Sequence, residues 1–418
     1  MATISLTDFE DVRIEAPWGD IVGRWYGNRQ ERPILAIHGW MDNLGSFGTL
    51  IPLLPDYLGV LCIELPGHGR SAHLPAGMRY HVHDYVSIIG RVMKAYKWSK
   101  VSIMGHSLGG ALGYLWAALA PHTVDLVISL DIVHPPLLTP VYPQVHKLFL
   151  NKFAIADERS YEAGNVQEPP SYSLSELRQL MAQGSDNSVP AELAHHLLYR
   201  SVTKSQLFPD KFYFSRDARV KWYQQFPMSA DLAAAMASRI QDTPYLIIKG
   251  TESPYVNEDT LPSRTILAKQ NPHYEFYEVP GRHHVHLTNA EEVAKHIVPF
   301  LRHHRPPKLA NERTKALHQF TVGPELAAVM LSRIKNIPCL MIKASDSPFV
   351  TEQSTLADQN PQYEFYEVLG QHHVHLTHPE ECEKHIIPFL KLHRPPKAVQ
   401  LTRTLNNEQV PVERMSKL

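Results

Sequence analysis

Cysteine is scarce: three residues in 418, at Cys62, Cys339 and Cys382, with neither metal-ligand nor disulfide spacing. That excludes a disulfide scaffold and a thiolate metal centre, and it fits free thiols in a reducing compartment. Charge imbalance is missing too. The formal net charge is −1, so no broad basic surface is available for nucleic acid or for an anionic membrane. No apolar run reaches the length of a membrane span. Met1-Ala2-Thr3-Ile4-Ser5 is not a basic stretch followed by an apolar one, which argues against a secretory signal. The remaining composition, 44% hydrophobic and 20% charged, is that of a globular chain able to bury a large core in one or two domains.

Against these absences, three loops stand out. Val101-Ser102-Ile103-Met104 is a short apolar run, and a small-residue helical stretch covers Ala111 to Ala120. Between them lies Gly105-His106-Ser107-Leu108-Gly109. A strand, a tight turn with one serine and a helix push the serine Oγ out above a sheet, and only small residues fit two places either side of it. The pentapeptide alone is weak, and its bland reading is a glycine-rich turn with an idle serine. The strand–turn–helix setting makes it specific. Pro33 to Ile37 reads as a buried strand entering His38-Gly39-Trp40-Met41-Asp42-Asn43. Val60 to Glu64 reads as another, entering Leu65-Pro66-Gly67-His68-Gly69-Arg70-Ser71. Such runs alternating with helices predict βαβ units and a parallel sheet, with ligand loops at the strands' C-terminal ends.

Together and in this order, the H-G-W-M-D-N, E-L-P-G-H-G-R-S and G-H-S-L-G-G motifs resemble the α/β-hydrolases, in particular the serine hydrolase-like (kraken-like) branch. The resemblance covers roughly residues 10 to 307. It implies a mostly parallel doubly wound sheet, a helical cap, a Ser–His–acid triad and acyl-transfer chemistry without a cofactor. Ser107 is the implied nucleophile. The implied oxyanion donors are the backbone N–H of Leu108, after the nucleophile, and of Trp40, after His38-Gly39. The family pattern puts the base first in Pro280-Gly281-Arg282-His283-His284-Val285-His286, hence His283. His284 and His286 read as packing or supporting residues, and a zinc site built from the three histidines is disfavoured because no rigid converging frame is evident. The acid departs from the common pattern. Many relatives carry G-x-x-D after the seventh strand, where this chain has Ser253, with Glu252 one residue early. Asp131 ends the strand Leu126 to Leu130, a position some members use. Asp131 is the expected acid and Glu252 the alternative; a turn cap is the bland reading of Asp131.

The last third of the chain repeats itself. Arg216 to Lys308 returns as Ala310 to Lys397: Tyr274 to Val279 recurs unchanged as Tyr363 to Val368, and His283-His284-Val285-His286-Leu287-Thr288 as His372 to Thr377. His372 and Asp346 are therefore twin candidates for base and acid. Copy one follows the cap directly and retains Gly250, so it is expected to complete the working domain. The expected organisation is core 1–133, cap 134–219, core 220–308, second copy 309–397 docked near the last strand, and a tail 398–418. The terminal Ser416-Lys417-Leu418 matches a peroxisomal address, so import-receptor binding and a peroxisomal rather than cytoplasmic location are expected. The expected activity is hydrolysis of an ester, thioester or related small acyl substrate. Ser107 argues against the carboxylate-nucleophile chemistries of this fold. An acyltransferase and a catalytically weak binding protein are the alternatives.

Overall fold

The computed structural model describes residues 3–162, 168–222, 227–307, 339–345, 363–369 and 379–393. The chain divides into two compact units, Met1–Pro307 and Lys308–Leu418.

The first unit is built on an eight-stranded sheet. Its strands are β1 (Phe9–Ile14), β2 (Ile21–Gly27), β3 (Ile34–Ile37), β4 (Gly59–Ile63), β5 (Val101–His106), β6 (Val124–Leu130), β9 (Tyr245–Gly250) and β10 (Tyr274–Val279). The order is β1-β2-β4-β3-β5-β6-β9-β10. The β1–β2 and β2–β4 pairs are antiparallel and the others parallel. Both faces are covered, which is why the central strands read as continuous apolar runs. Leu35, Ile37, Leu61, Ile63, Ile103, Val127 and Ile247 face one core with α1 (Val82–Ala95) and α2 (Leu108–Leu119). Ile34, Ala36, Val60, Cys62, Met104, Ile128 and Ile248 face the other with α9 (Ala290–His304). In α1, Val82, Tyr85, Val86, Ile89, Val92 and Met93 are buried at helical spacing, so a single stripe meets the sheet.

Between β6 and α6 (Ala230–Ala237) the chain leaves the sheet to form the cap. It contains α3 (Tyr142–Glu162), α4 (Leu174–Gly184), α5 (His195–Ser201) and a small hairpin, β7 (Val202–Lys204) with β8 (Phe212–Phe214). α4 starts after Ser173 because Ser173 and Glu176 form a reciprocal capping box. The apolar residues of α3 are largely exposed or half-exposed and give no clean stripe. The boundary placed at Arg219 falls inside the short helical turn Ala218–Trp222.

Two buried arginines fasten the cap. Arg200 donates to both oxygens of Glu64 at 2.7 and 2.8 Å, with both side chains buried. Arg219 binds Asp217 and Asp157 and the carbonyls of Pro75 and Met78.

In the second unit, β11 (Cys339–Ala344) pairs in parallel with β12 (Tyr363–Val368), followed by α10 (Pro379–His393). Cys339 opposes Tyr363 as Tyr245 opposes Tyr274 in β9–β10. β11 and β12 form a two-stranded sheet. Asp346, His372 and Ser416-Lys417-Leu418 lie outside the described residues.

Candidate active site

Ser107 joins β5 to α2 with φ +49° and ψ −114°, a conformation few non-glycine residues hold. The turn survives because its flanks carry no Cβ. A Cβ on Gly105 would lie 2.2 Å from the Gly109 carbonyl carbon, and one on Gly109 would lie 2.0 Å from the Ile37 oxygen. Leu108 opens α2, so its N–H has no preceding turn to bond.

Because β5, β6, β9 and β10 are consecutive in the sheet, their C-terminal ends bring four loops together. Asp131 follows β6 with φ +57° and is fully buried. One oxygen accepts the Gly250 N–H at 2.8 Å. The other accepts from the Ser253 hydroxyl and lies 2.6 Å from His283 Nδ1. Ser253 occupies the place where the common pattern carries its acid, and it donates to the carboxylate that follows the neighbouring strand. Glu252 is exposed and 3.5 Å from Arg282, and it does not reach the imidazole. His283 follows β10 through Gly281 at φ +138°, and the Tyr255 ring covers it at 4.0 Å between centroids. Burial, with His284 alongside, holds the His283 imidazole neutral, down to about 3. Burial pushes the Asp131 carboxyl up to about 6, against the hydrogen bonds from Ser253 and Gly250. Ser107 and His283 line one cavity of about 890 Å³. Among the described residues no hydrogen bond joins Ser107 Oγ to an imidazole, a contact that in unliganded sites commonly tightens only when substrate binds.

A second cluster, hidden in the sequence motifs, backs the first. Asp42 Oδ2 lies 3.2 Å from His106 Nδ1 and 3.2 Å from His284 Nε2. His106 Nε2 donates to the His283 carbonyl at 3.1 Å, and His284 Nδ1 meets Ser188 Oγ at 2.6 Å. Asp42 is thus two hydrogen bonds from the backbone of His283, across 242 residues from His284. Its carboxyl is held well below the ordinary range by the two imidazoles, against the burial penalty. Asp42, His106 and His284 offer donor atoms within 4.8 Å of one another, close enough for a cation, but those atoms already bond each other. His283 is not part of that set, and neither is His286, which is fully buried 4.2 Å from the His106 ring.

The other expected oxyanion residue, Trp40, lies in the loop after β3. Met41 there has φ +63° and donates its N–H to His68 Nε2 at 3.1 Å. His38 Nε2 accepts the Leu65 N–H at 3.0 Å. Burial keeps both histidines neutral and so able to accept. A Cβ on Gly39 would meet His106 Nδ1 at 2.7 Å, which fixes that residue as glycine. Trp40 lines the cavity and donates Nε1–H to the Val220 carbonyl at 2.8 Å, tying this loop to the cap.

Fold and site together define a hydrolase of the α/β class. Residues 32–290 match the alpha/beta hydrolase fold family, and the chain belongs to it. It is 35% identical to a probable serine hydrolase of Drosophila melanogaster over 70% of this chain and 88% of that protein. It is 32% identical to human serine hydrolase-like protein 2, over 70% of this chain and 93% of the relative. Among solved structures, a hypothetical protein from Pseudomonas aeruginosa superposes with a TM-score of 0.59 at 24% identity, covering 70% of this chain and 99% of that one. A thioesterase domain from the curacin biosynthetic pathway gives 0.54 at 21% identity, covering 69% and 98%. At those identities the structural likeness concerns the fold.

Proposed function

We propose that this hydrolase cleaves a small ester, thioester or related acyl substrate through an acyl-enzyme on Ser107. The observation that carries the reading is the 2.6 Å Asp131–His283 bond beside a strained serine in one cavity. A serine hydroxyl is a weak nucleophile until a base takes its proton. His283, neutral and oriented at Nδ1 by Asp131, presents Nε2 for that proton. As Oγ bonds the acyl carbon, the carbonyl oxygen gains negative charge, and the N–H groups of Leu108 and Trp40 receive it. Losing one such donor typically costs about 3 kcal/mol in the transition state. The imidazolium then protonates the leaving alcohol or thiol. Water, deprotonated by His283, releases the acid and regenerates Ser107. Hydrolysis of 4-nitrophenyl esters tests this. Turnover is expected to collapse in Ser107→Ala and in His283→Ala and to persist in His372→Ala. Full turnover in His283→Ala with loss in His372→Ala would move the base to the second copy.

A further inference from the structure

Three arginines of the cap are buried or half-buried, and two of them have carboxylates. Arg200 grips Glu64, and Arg219 grips Asp217 and Asp157. Arg216 is half-buried, and among the described residues it has neither a carboxylate nor a hydrogen-bond acceptor. Its guanidinium carbon sits 4.4 Å from the centroid of the Phe214 ring, and it lines the cavity that holds Ser107. Charges withdrawn from water are normally paired, and an aromatic face supplies only part of what a carboxylate would. Burial alone brings its guanidinium down to about 10. The backbone on either side is fixed: Ser215 N–H donates to Ser201 at 2.8 Å and Asp217 N–H to Gly67 at 2.9 Å. Lys221 lines the same cavity and has no ion pair among the described residues. Of the three acids that line the cavity, Asp42 is engaged by two imidazoles and Glu252 pairs with Arg282, while Asp186 has no ion pair among the described residues.

We propose that Arg216 receives an anionic group of the substrate, a carboxylate or a phosphate, so that the enzyme favours acyl esters or thioesters bearing negative charge. This rests on the Ser107 hydrolase reading and specifies the substrate class of that site. The planar guanidinium fork matches either anion with two parallel N–H bonds. The apolar walls formed by Met41, Leu108 and Met181 accommodate the chain between that anion and the carbonyl.

Mono-4-nitrophenyl adipate and suberate, set against 4-nitrophenyl hexanoate and octanoate, keep the leaving group and chain length and change only a terminal carboxylate. The charged member of a pair is expected to have a kcat/KM at least about tenfold higher, as a hydrogen bond to a charged group supports. That ratio should fall to about one in Arg216→Gln and recover in part in Arg216→Lys. Binding is measured separately, by calorimetry of octanoate and of octyl phosphate on Ser107→Ala with and without Arg216→Gln. The tighter of the two identifies the preferred anion, and the second substitution should weaken it about tenfold. Equal turnover of charged and neutral esters, or anion binding indifferent to Arg216, overturns the proposal. Cleavage through Ser107 without charge preference defeats this inference alone. Anion binding through Arg216 without any ester cleavage defeats the hydrolase reading and leaves Arg216 as an anion site.

Discussion

Asp131 is buried, holds a backbone conformation that asparagine also tolerates, and accepts from three neighbours. Asp131→Asn should therefore fold and unfold at the wild-type temperature. It should lose about 10³–10⁴ in kcat, because the amide no longer holds the imidazole in its working tautomer. Normal kcat in that variant would remove Asp131 from the chemistry. The same pair sets the acid limb of the pH profile. Catalysis needs Asp131 ionised and His283 neutral, and the two titrate as a unit. With the carboxyl raised to about 6 and the imidazole lowered, kcat/KM should fall as pH drops through about 6 and stay level above it. Stability runs the opposite way. The folded carboxyl is raised, so its ionised form is the costlier one, and that cost is absent at low pH and complete above about 6. An acid limb unchanged in Ser253→Ala, which deletes a hydrogen bond to the ionised carboxylate, would contradict this assignment, since that loss should move the limb to higher pH.

Among the elements, the strand–turn–helix around Ser107 is legible in the sequence because its requirements are local: an apolar run, two glycines and a small-residue helix. The acid is not local. Asp131 and Glu252 stand equally near strand ends, and only the adjacency of β6 and β9 turns Ser253 and Gly250 toward Asp131. Asp42 and His106 are likewise visible as motif letters, but their hydrogen bonds to each other and to the His283 loop exist only once β3, β5 and β10 share a sheet. The cap is least legible, since α3 shows no strong stripe and its fastening depends on distant ion pairs. Glu64 is the clearest test. Glu64→Ala leaves the Arg200 guanidinium buried and unpaired, and it removes the acceptor of the Arg70 N–H. A loss of about 3–5 kcal/mol in unfolding free energy is expected from denaturant titration. A loss below about 1 kcal/mol would mean that this pair does not fasten the cap.

Across the whole molecule, every residue given a part in the chemistry lies within Met1–Pro307: Trp40, Ser107, Leu108, Asp131, Arg216 and His283. That unit has its own sheet, and two cores bury both its faces. The family match, residues 32–290, also lies inside it. A chain ending at Pro307 should therefore retain kcat/KM within about twofold, since the site is complete within one independently cored domain. Complete loss of activity in a shortened chain that circular dichroism shows to be folded would mean that residues beyond Pro307 supply part of the site. The assignment of Ser107 as a nucleophile activated by His283 is tested most directly by intact-mass and peptide analysis after exposure to a fluorophosphonate. One adduct per chain, on Ser107, formed rapidly by the wild type and at least about a hundredfold more slowly by His283→Ala, is the required result. No adduct, an adduct on another residue, or equal labelling rates with and without His283 would contradict it.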